Sequence, residues 1–208
     1  MKHLNVFTKS SLYALTLAGL VFTGCKKDDE DAPEPENELE VITDVTLVFT
    51  NTENSNDVVK ASAKDPDGAG IEELVINDEI NLDTSKTYKL TFEIFNNLEE
   101  PGEDIGEEIK EEDDEHQIFF AFTNDSYASP SGDGNVGDGK GNDPLKYEDK
   151  DGNQNNLGLE TEWTTPNTVT EGGKFRVILK HQPDIKTSSS DSEDGDTDFD
   201  LEFVLNIK

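Results

Sequence analysis

From Phe199 to Ile207 the chain reads Phe-Asp-Leu-Glu-Phe-Val-Leu-Asn-Ile, apolar at every odd position. A period of two puts Phe199, Leu201, Phe203, Leu205 and Ile207 on one side, with Asp198, Asp200 and Glu202 on the side facing water. That is the pattern of a strand buried on one face. The same alternation recurs in residues 88–95, where Tyr88, Leu90, Phe92 and Ile94 oppose Lys89, Thr91 and Glu93. Strands are expected at 45–50, 58–63, 71–82 (broken near Asn77 and Asp78), 88–95, 116–123, 157–165, 175–181 and 199–207, with no helix period of useful length. The turn Asp83-Thr84-Ser85-Lys86 would make the third and fourth of these a hairpin. Strands of this number and length predict an all-β fold, an antiparallel two-sheet sandwich of immunoglobulin-like type with long acidic loops; a barrel is the alternative. Trp163 shares the face of Leu157, Leu159 and Thr161, which points to core packing, with stacking on a sugar as the other reading.

The N-terminus obeys different physics. Lys2 and Lys9 precede an apolar stretch from Ser11 to Phe22, too short for a membrane span of roughly 20 residues but fitted to an export signal. Phe22-Thr23-Gly24-Cys25 resembles the bacterial lipobox, with cleavage before Cys25 and diacylglycerol on its thiol. Residues 1–24 are thus expected to be a lipoprotein signal peptide. Residues 25–40, rich in acids and carrying two prolines, are expected to be a lipidated disordered tether, and residues 41–208 a single domain. Lys26-Lys27-Asp28-Asp29-Glu30-Asp31 resembles the signal that places Bacteroidota lipoproteins on the outer face of the outer membrane. The expected location is therefore the outer membrane, lipid-anchored and facing the cell exterior.

Charge and cysteine count narrow the function. The formal net charge of −31 becomes more negative once the signal, with two lysines and no acid, is removed. Such a surface repels nucleic acid and anionic headgroups and attracts cations. Cys25 is the one cysteine, so no intrachain disulfide is possible, and lipidation takes its thiol out of metal and redox chemistry.

Beyond residue 24 there are two histidines. His116 opens its strand in register with Ile118, Phe120 and Phe122; His181 closes another in register with Phe175, Val177 and Leu179. Both are expected to face inward at strand ends, and antiparallel neighbours would bring them to one rim. The acidic run ending Asp113-Asp114-Glu115 leads into His116. Imidazole with carboxylate suits zinc or a similar divalent metal, with His116, His181, Glu115 and Asp114 as candidate ligands. The other reading is two hydrogen-bonded strand-end imidazoles beside solvated loops.

A second candidate is Asp149-Lys150-Asp151-Gly152-Asn153-Gln154-Asn155. Side-chain oxygens at Asp149, Asp151, Asn153 and Asn155 could hold calcium, although the glycine position and the missing glutamate rule out an EF-hand. The same residues also suit plain turns. Three long segments, 96–115, 125–156 and 182–196, are acidic or rich in Gly, Asp and Asn. There is no Gly-x-Ser-x-Gly, no His-Glu-x-x-His and no phosphate-binding glycine loop, so a non-enzymatic role is expected.

The segments Asn142-Asp143-Pro144-Leu145, Asp149 to Asn153, Leu157-Gly158-Leu159 and Phe175 to Asp184, with Asp114-Glu115-His116-Gln117, resemble uncharacterised Bacteroidota surface lipoproteins. Such lipoproteins tend to accompany TonB-dependent outer-membrane transporters, which implies capture of a nutrient, a divalent cation or a metal complex. Two other functions fit the residues: a structural or adhesive module stabilised by calcium, and glycan binding through Tyr127 or Tyr147.

Overall fold

The computed structural model describes residues 40–65 and 74–208, all within one compact unit, Asn37–Lys208. The signal segment, Cys25, all of the tether except Glu40, and residues 71–73 of the third expected strand lie outside the described residues.

The domain is an all-β sandwich of two sheets. One holds β1 (Asp44–Asn51), β2 (Val58–Lys64), β3 (Val75–Ile76) and β5 (Thr87–Asn96) in the order β3-β2-β1-β5. Two short strands, β6 (Glu103–Asp104) and β8 (Glu160–Thr164), pair with successive stretches of β5. The other sheet has the order β4-β10-β9-β7, from β4 (Ile80–Leu82), β7 (His116–Phe122), β9 (Thr170–His181) and β10 (Asp196–Ile207). Alternation does what the sequence implied: Phe199, Leu201, Phe203, Leu205 and Ile207 are buried, and meet Tyr88, Leu90 and Ile94 of the facing sheet in one core.

Aromatic rings fill the centre of that core. Trp163 is fully buried, with ring centroids 4.8 Å from Tyr127, 5.0 Å from Phe175 and 5.4 Å from both Phe120 and Phe122. Its indole N–H donates to Thr161 Oγ1 at 2.7 Å, so the polar tip costs nothing. Trp163→Ala is expected to cost about 3–5 kcal/mol in chemical denaturation, the usual result of emptying an aromatic site that cannot collapse. Tyr127 is 3 % exposed inside this cluster, and the Tyr147 hydroxyl donates to the Ile118 carbonyl at 2.7 Å. Trp163 thus packs in the core as its alternation implied, and the Tyr127 ring is enclosed there too, while Tyr147 is partly buried.

Four expectations change. The break expected near Asn77 and Asp78 is present, but its two halves part company: β3 belongs to the first sheet and β4 to the second. Asp78 between them accepts hydrogen bonds from Ser62 of β2, through its N–H at 3.1 Å and its hydroxyl at 2.6 Å, as the chain crosses over. Residues 83–86 do not close a hairpin either, because β4 pairs in parallel with β10 while β5 lies opposite. The Thr165 hydroxyl bridges that turn, donating to Asp83 O at 2.7 Å and accepting from Lys86 N–H at 3.0 Å. Within 96–115 a short helix forms, α1 (Ile105–Glu111), because Asp104 accepts from Glu107 N–H at its start and Ile105 and Ile109, four apart, bury one face. The strand expected at 157–165 shortens to β8, since the Leu157 carbonyl instead accepts from Ile118 N–H of β7 at 2.7 Å.

That last bond belongs to a continuous cover. Along the free edge of β7, Phe120 N–H donates to Asn135 Oδ1 at 2.9 Å, Asn135 N–H returns to Phe120 O at 2.8 Å, and Phe122 N–H reaches Asp133 O at 3.0 Å. The long segment 125–156 thus seals an edge that would otherwise recruit another chain. Gly134 makes the approach possible: at φ 101°, a Cβ there would lie 2.0 Å from Phe120 O. Gly134→Ala is expected to destabilise by at least about 2 kcal/mol, from the left-handed backbone and the backbone clash together, measurable as a lower urea midpoint.

Candidate metal centre

β7 and β9 run antiparallel, and the first residue of one pairs with the last of the other, His116 opposite His181. Cross-strand partners share a face, so both imidazoles continue the inward rows of Ile118 and Leu179 to the rim of the sandwich. The rings stack, with centroids 4.7 Å apart and planes within 7°. They are 0 % and 3 % exposed.

His116 Nδ1 lies 3.2 Å from the backbone carbonyl of Glu112. A carbonyl only accepts, so Nδ1 carries the proton and Nε2 of the neutral ring presents a lone pair. That lone pair faces Asp198, whose Oδ2 is 4.0 Å from Nε2, both side chains being fully buried. Among the described residues His116 Nε2 has no hydrogen-bond partner, and the Asp198 carboxylate has at most a weak one, from the Glu40 backbone N–H. His181 Nε2 also makes none and lies 3.5 Å from Glu115 Oε2. Glu40 and Glu112 bring carboxylate oxygens that, with a ring nitrogen of His116, all lie within 4.8 Å of one another.

Asp198 arrives there through a β-bulge. β10 pairs Thr197 with Lys180 and then Phe199 with Leu179, so Asp198 is the extra residue. A bulge re-aims the side chain it inserts, and the carboxylate that strict alternation points to water reaches inward instead.

The electrostatics follow from burial. Desolvation pushes His116 down to about 4, with His181 and Lys186 adding to it against the Glu112 carbonyl and Glu115. Desolvation pushes Asp198 up to about 7, opposed by His181, by a backbone hydrogen bond from Glu40 and by Lys180, with the Glu40 charge adding to the rise. Glu40 is raised by burial and by the nearby Glu112 and Glu103, and Glu108 is raised to about 7 by desolvation and Glu103. A buried lone pair facing a buried carboxylate, beside crowded acids, is an arrangement that a cation relieves. The donor set of imidazole nitrogen and carboxylate oxygen fits zinc or another borderline divalent ion. The carbonyl behind Nδ1 is the usual outer partner of a ligating histidine.

Of the residues singled out in the sequence, His116, His181 and Glu115 come together here. Asp114 does not; it is exposed, and its charge supports Lys186 instead. Asp198, Glu40 and Glu112 were missed. Strict alternation puts Asp198 on the wet face, composition puts Glu40 in the tether, and nothing in the sequence distinguishes Glu112 from the acids around it.

The loop considered for calcium is built for a different cation. Asp149 accepts from Gly158 N–H at 2.9 Å and Glu160 N–H at 3.0 Å. Asp151 accepts from the N–H groups of Asn153 and Asn155 at 2.9 and 2.7 Å, and from the Asn155 side-chain amide at 2.9 Å. Lys186 then places its ammonium 3.4 Å from Asp151 Oδ2, both side chains fully buried, and donates to the Asp113 carbonyl at 2.5 Å. N–H donors and one lysine thus engage the carboxylates of Asp149 and Asp151, and with Asn153 and Asn155 these form a loop held together by its own hydrogen bonds. Compared with known proteins, the chain matches no family model, no curated protein and no solved structure.

Proposed function

We propose that the protein is a non-enzymatic, lipid-anchored lipoprotein of the outer-membrane surface that binds a divalent cation at the His116 rim and supplies it to a TonB-dependent transporter. The observation that carries the binding half is the buried His116 Nε2 lone pair, which has no hydrogen bond, facing the buried Asp198 carboxylate, which has at most a weak one. Asp198, Glu40, Glu112, His181 and Glu115 are the groups available to complete the shell, and zinc is the metal their chemistry suits best. The lipobox-like sequence ending in Cys25, the acidic signal after it and the resemblance to surface lipoproteins support the location and the transporter. The parallel pairing of β4 with β10, beside β9 and β7, supports an immunoglobulin-like reading of the sandwich.

Elemental analysis of the protein purified from membranes without chelator is expected to find about one equivalent of divalent metal. The double variant His116→Ala, His181→Ala, checked for folding by circular dichroism, is expected to come out metal-free; equal metal in both would contradict the reading. Cys25→Ser is expected to move the protein from the membrane to the soluble fraction, and unchanged fractionation would remove the anchor from the account.

A further inference from the structure

His116 and His181 each end in a buried Nε2 without a hydrogen bond, and each faces a carboxylate of its own. His116 Nε2 lies 4.0 Å from Asp198 Oδ2, on the bulge of β10, and His181 Nε2 lies 3.5 Å from Glu115 Oε2, in the residue before β7. Both gaps are long for a charge-assisted hydrogen bond. Two ligands across a tetrahedral ion, each bonded at about 2.0–2.2 Å, stand about 3.4 Å apart. A small shift in either pair therefore admits an ion.

One ion cannot serve both rings. An imidazole binds metal along a lone pair that lies in the ring plane, at about 2.0–2.1 Å. These rings stack with planes within 7° and centroids 4.7 Å apart. Stacked carbons come no closer than about 3.5 Å, so an ion in the plane of one ring stands at least that far outside the plane of the other, beyond any bond.

We infer that the rim is a two-ion centre, with one divalent cation held by His116 and Asp198 and a second by His181 and Glu115. This rests on the metal-binding reading above and deepens it. Two-ion sites in general hold their metals about 3.5–4 Å apart, close to the 4.7 Å between these rings. The His116 ion is the tighter. Both its side chains are fully buried, whereas Glu115 is 33 % exposed and the second ion enters against the charge of the first. Acids around the pair, Glu112 among them, offset that repulsion. The equivalent retained through purification is then the His116 ion, and the His181 ion is lost on washing.

Cobalt(II), a spectroscopic stand-in for zinc, tests this on the full chain in detergent, with excess magnesium occupying the diffuse acidic surface. Titration calorimetry is expected to show two equivalents, the second at least ten-fold weaker than the first. The high-spin EPR signal is expected to grow up to one equivalent and then fall toward the second, as neighbouring spins couple. His181→Ala and, separately, His116→Ala are each expected to take up one equivalent, with a signal that no longer falls. The wild-type EPR titration needs no variant, so poor folding of either leaves the test intact. Saturation at one equivalent, or a signal that keeps growing to two, would overturn the inference and leave a single-ion site standing. No cobalt bound in the presence of magnesium would overturn the metal-binding reading as well.

Discussion

Lys186→Met is expected to cost about 3–5 kcal/mol of folding stability, the loss seen when one partner of a buried ion pair is removed and the other charge stays behind. Lys186 and Asp151 are both fully buried, 3.4 Å apart. Methionine keeps the stem but leaves Asp151 without its counter-charge and the Asp113 carbonyl without its donor. Burial lowers the pKa of Lys186 while Asp151, Asp113 and Asp114 hold the charge, so the ammonium depends on those partners. Three long loops meet at this ion, and one of them carries Glu112 and Glu115 to the imidazoles. The double variant Lys186→Met, Asp151→Asn is expected to recover much of the loss. A urea-denaturation cycle with additive single effects would show that the pair does not act as a unit.

Asp198→Asn is expected to move stability and metal affinity in opposite directions. In the metal-free protein the folded Asp198 carboxyl titrates near 7 against an ordinary 3.8. A raised folded pKa means that the folded state keeps a proton the unfolded state releases. The stability this group contributes is therefore complete below about pH 4 and is lost as pH rises toward 7. That interval corresponds to about 4 kcal/mol as an upper figure. Asparagine does not titrate, so the variant should gain on the wild type by up to this amount between pH 4 and 7. His116 has the opposite sign: its folded pKa, near 4 against 6.5, contributes stability above 6.5 that is lost as pH falls toward 4. The two slopes oppose each other in the wild type between about 4 and 6.5, and Asp198→Asn leaves the histidine slope exposed. Zinc affinity in the same variant is expected to fall at least a hundred-fold, because asparagine brings no charge. A variant that loses stability as pH rises relative to wild type would contradict the burial argument.

Much of the fold was legible because one-sided burial writes a period of two, and β1, β2, β5, β7 and β10 carry that period plainly. The histidine pair was legible for the same reason, since inward register at the start of one strand and the end of its neighbour leaves little freedom. What escaped depended on interactions that local sequence does not encode. The bulge at Asp198 shifts register by one residue, and nothing in Asp-Thr-Asp-Phe-Asp marks which aspartate is the extra one. Residues 83–86 have turn composition whether they close a hairpin or cross between sheets; Thr165, distant in sequence, decides it. α1, at seven residues, is too short to establish a period and exists because its cap and two isoleucines are met by the sheet edge. The loop 149–155 has oxygen ligands at calcium-like spacing, yet the cation that completes it is a lysine 35 positions beyond Asp151.

If His116 ligates metal through Nε2 with its proton held on Nδ1 by the Glu112 carbonyl, long-range nitrogen–proton NMR of the two imidazoles will show it. Before metal, His116 is expected to show the Nδ1-protonated tautomer at pH 7. One equivalent of zinc should shift its Nε2 resonance and saturate there, with Nδ1 still protonated. Unshifted imidazole nitrogens at one equivalent, or a His116 ring protonated on Nε2, would contradict the account.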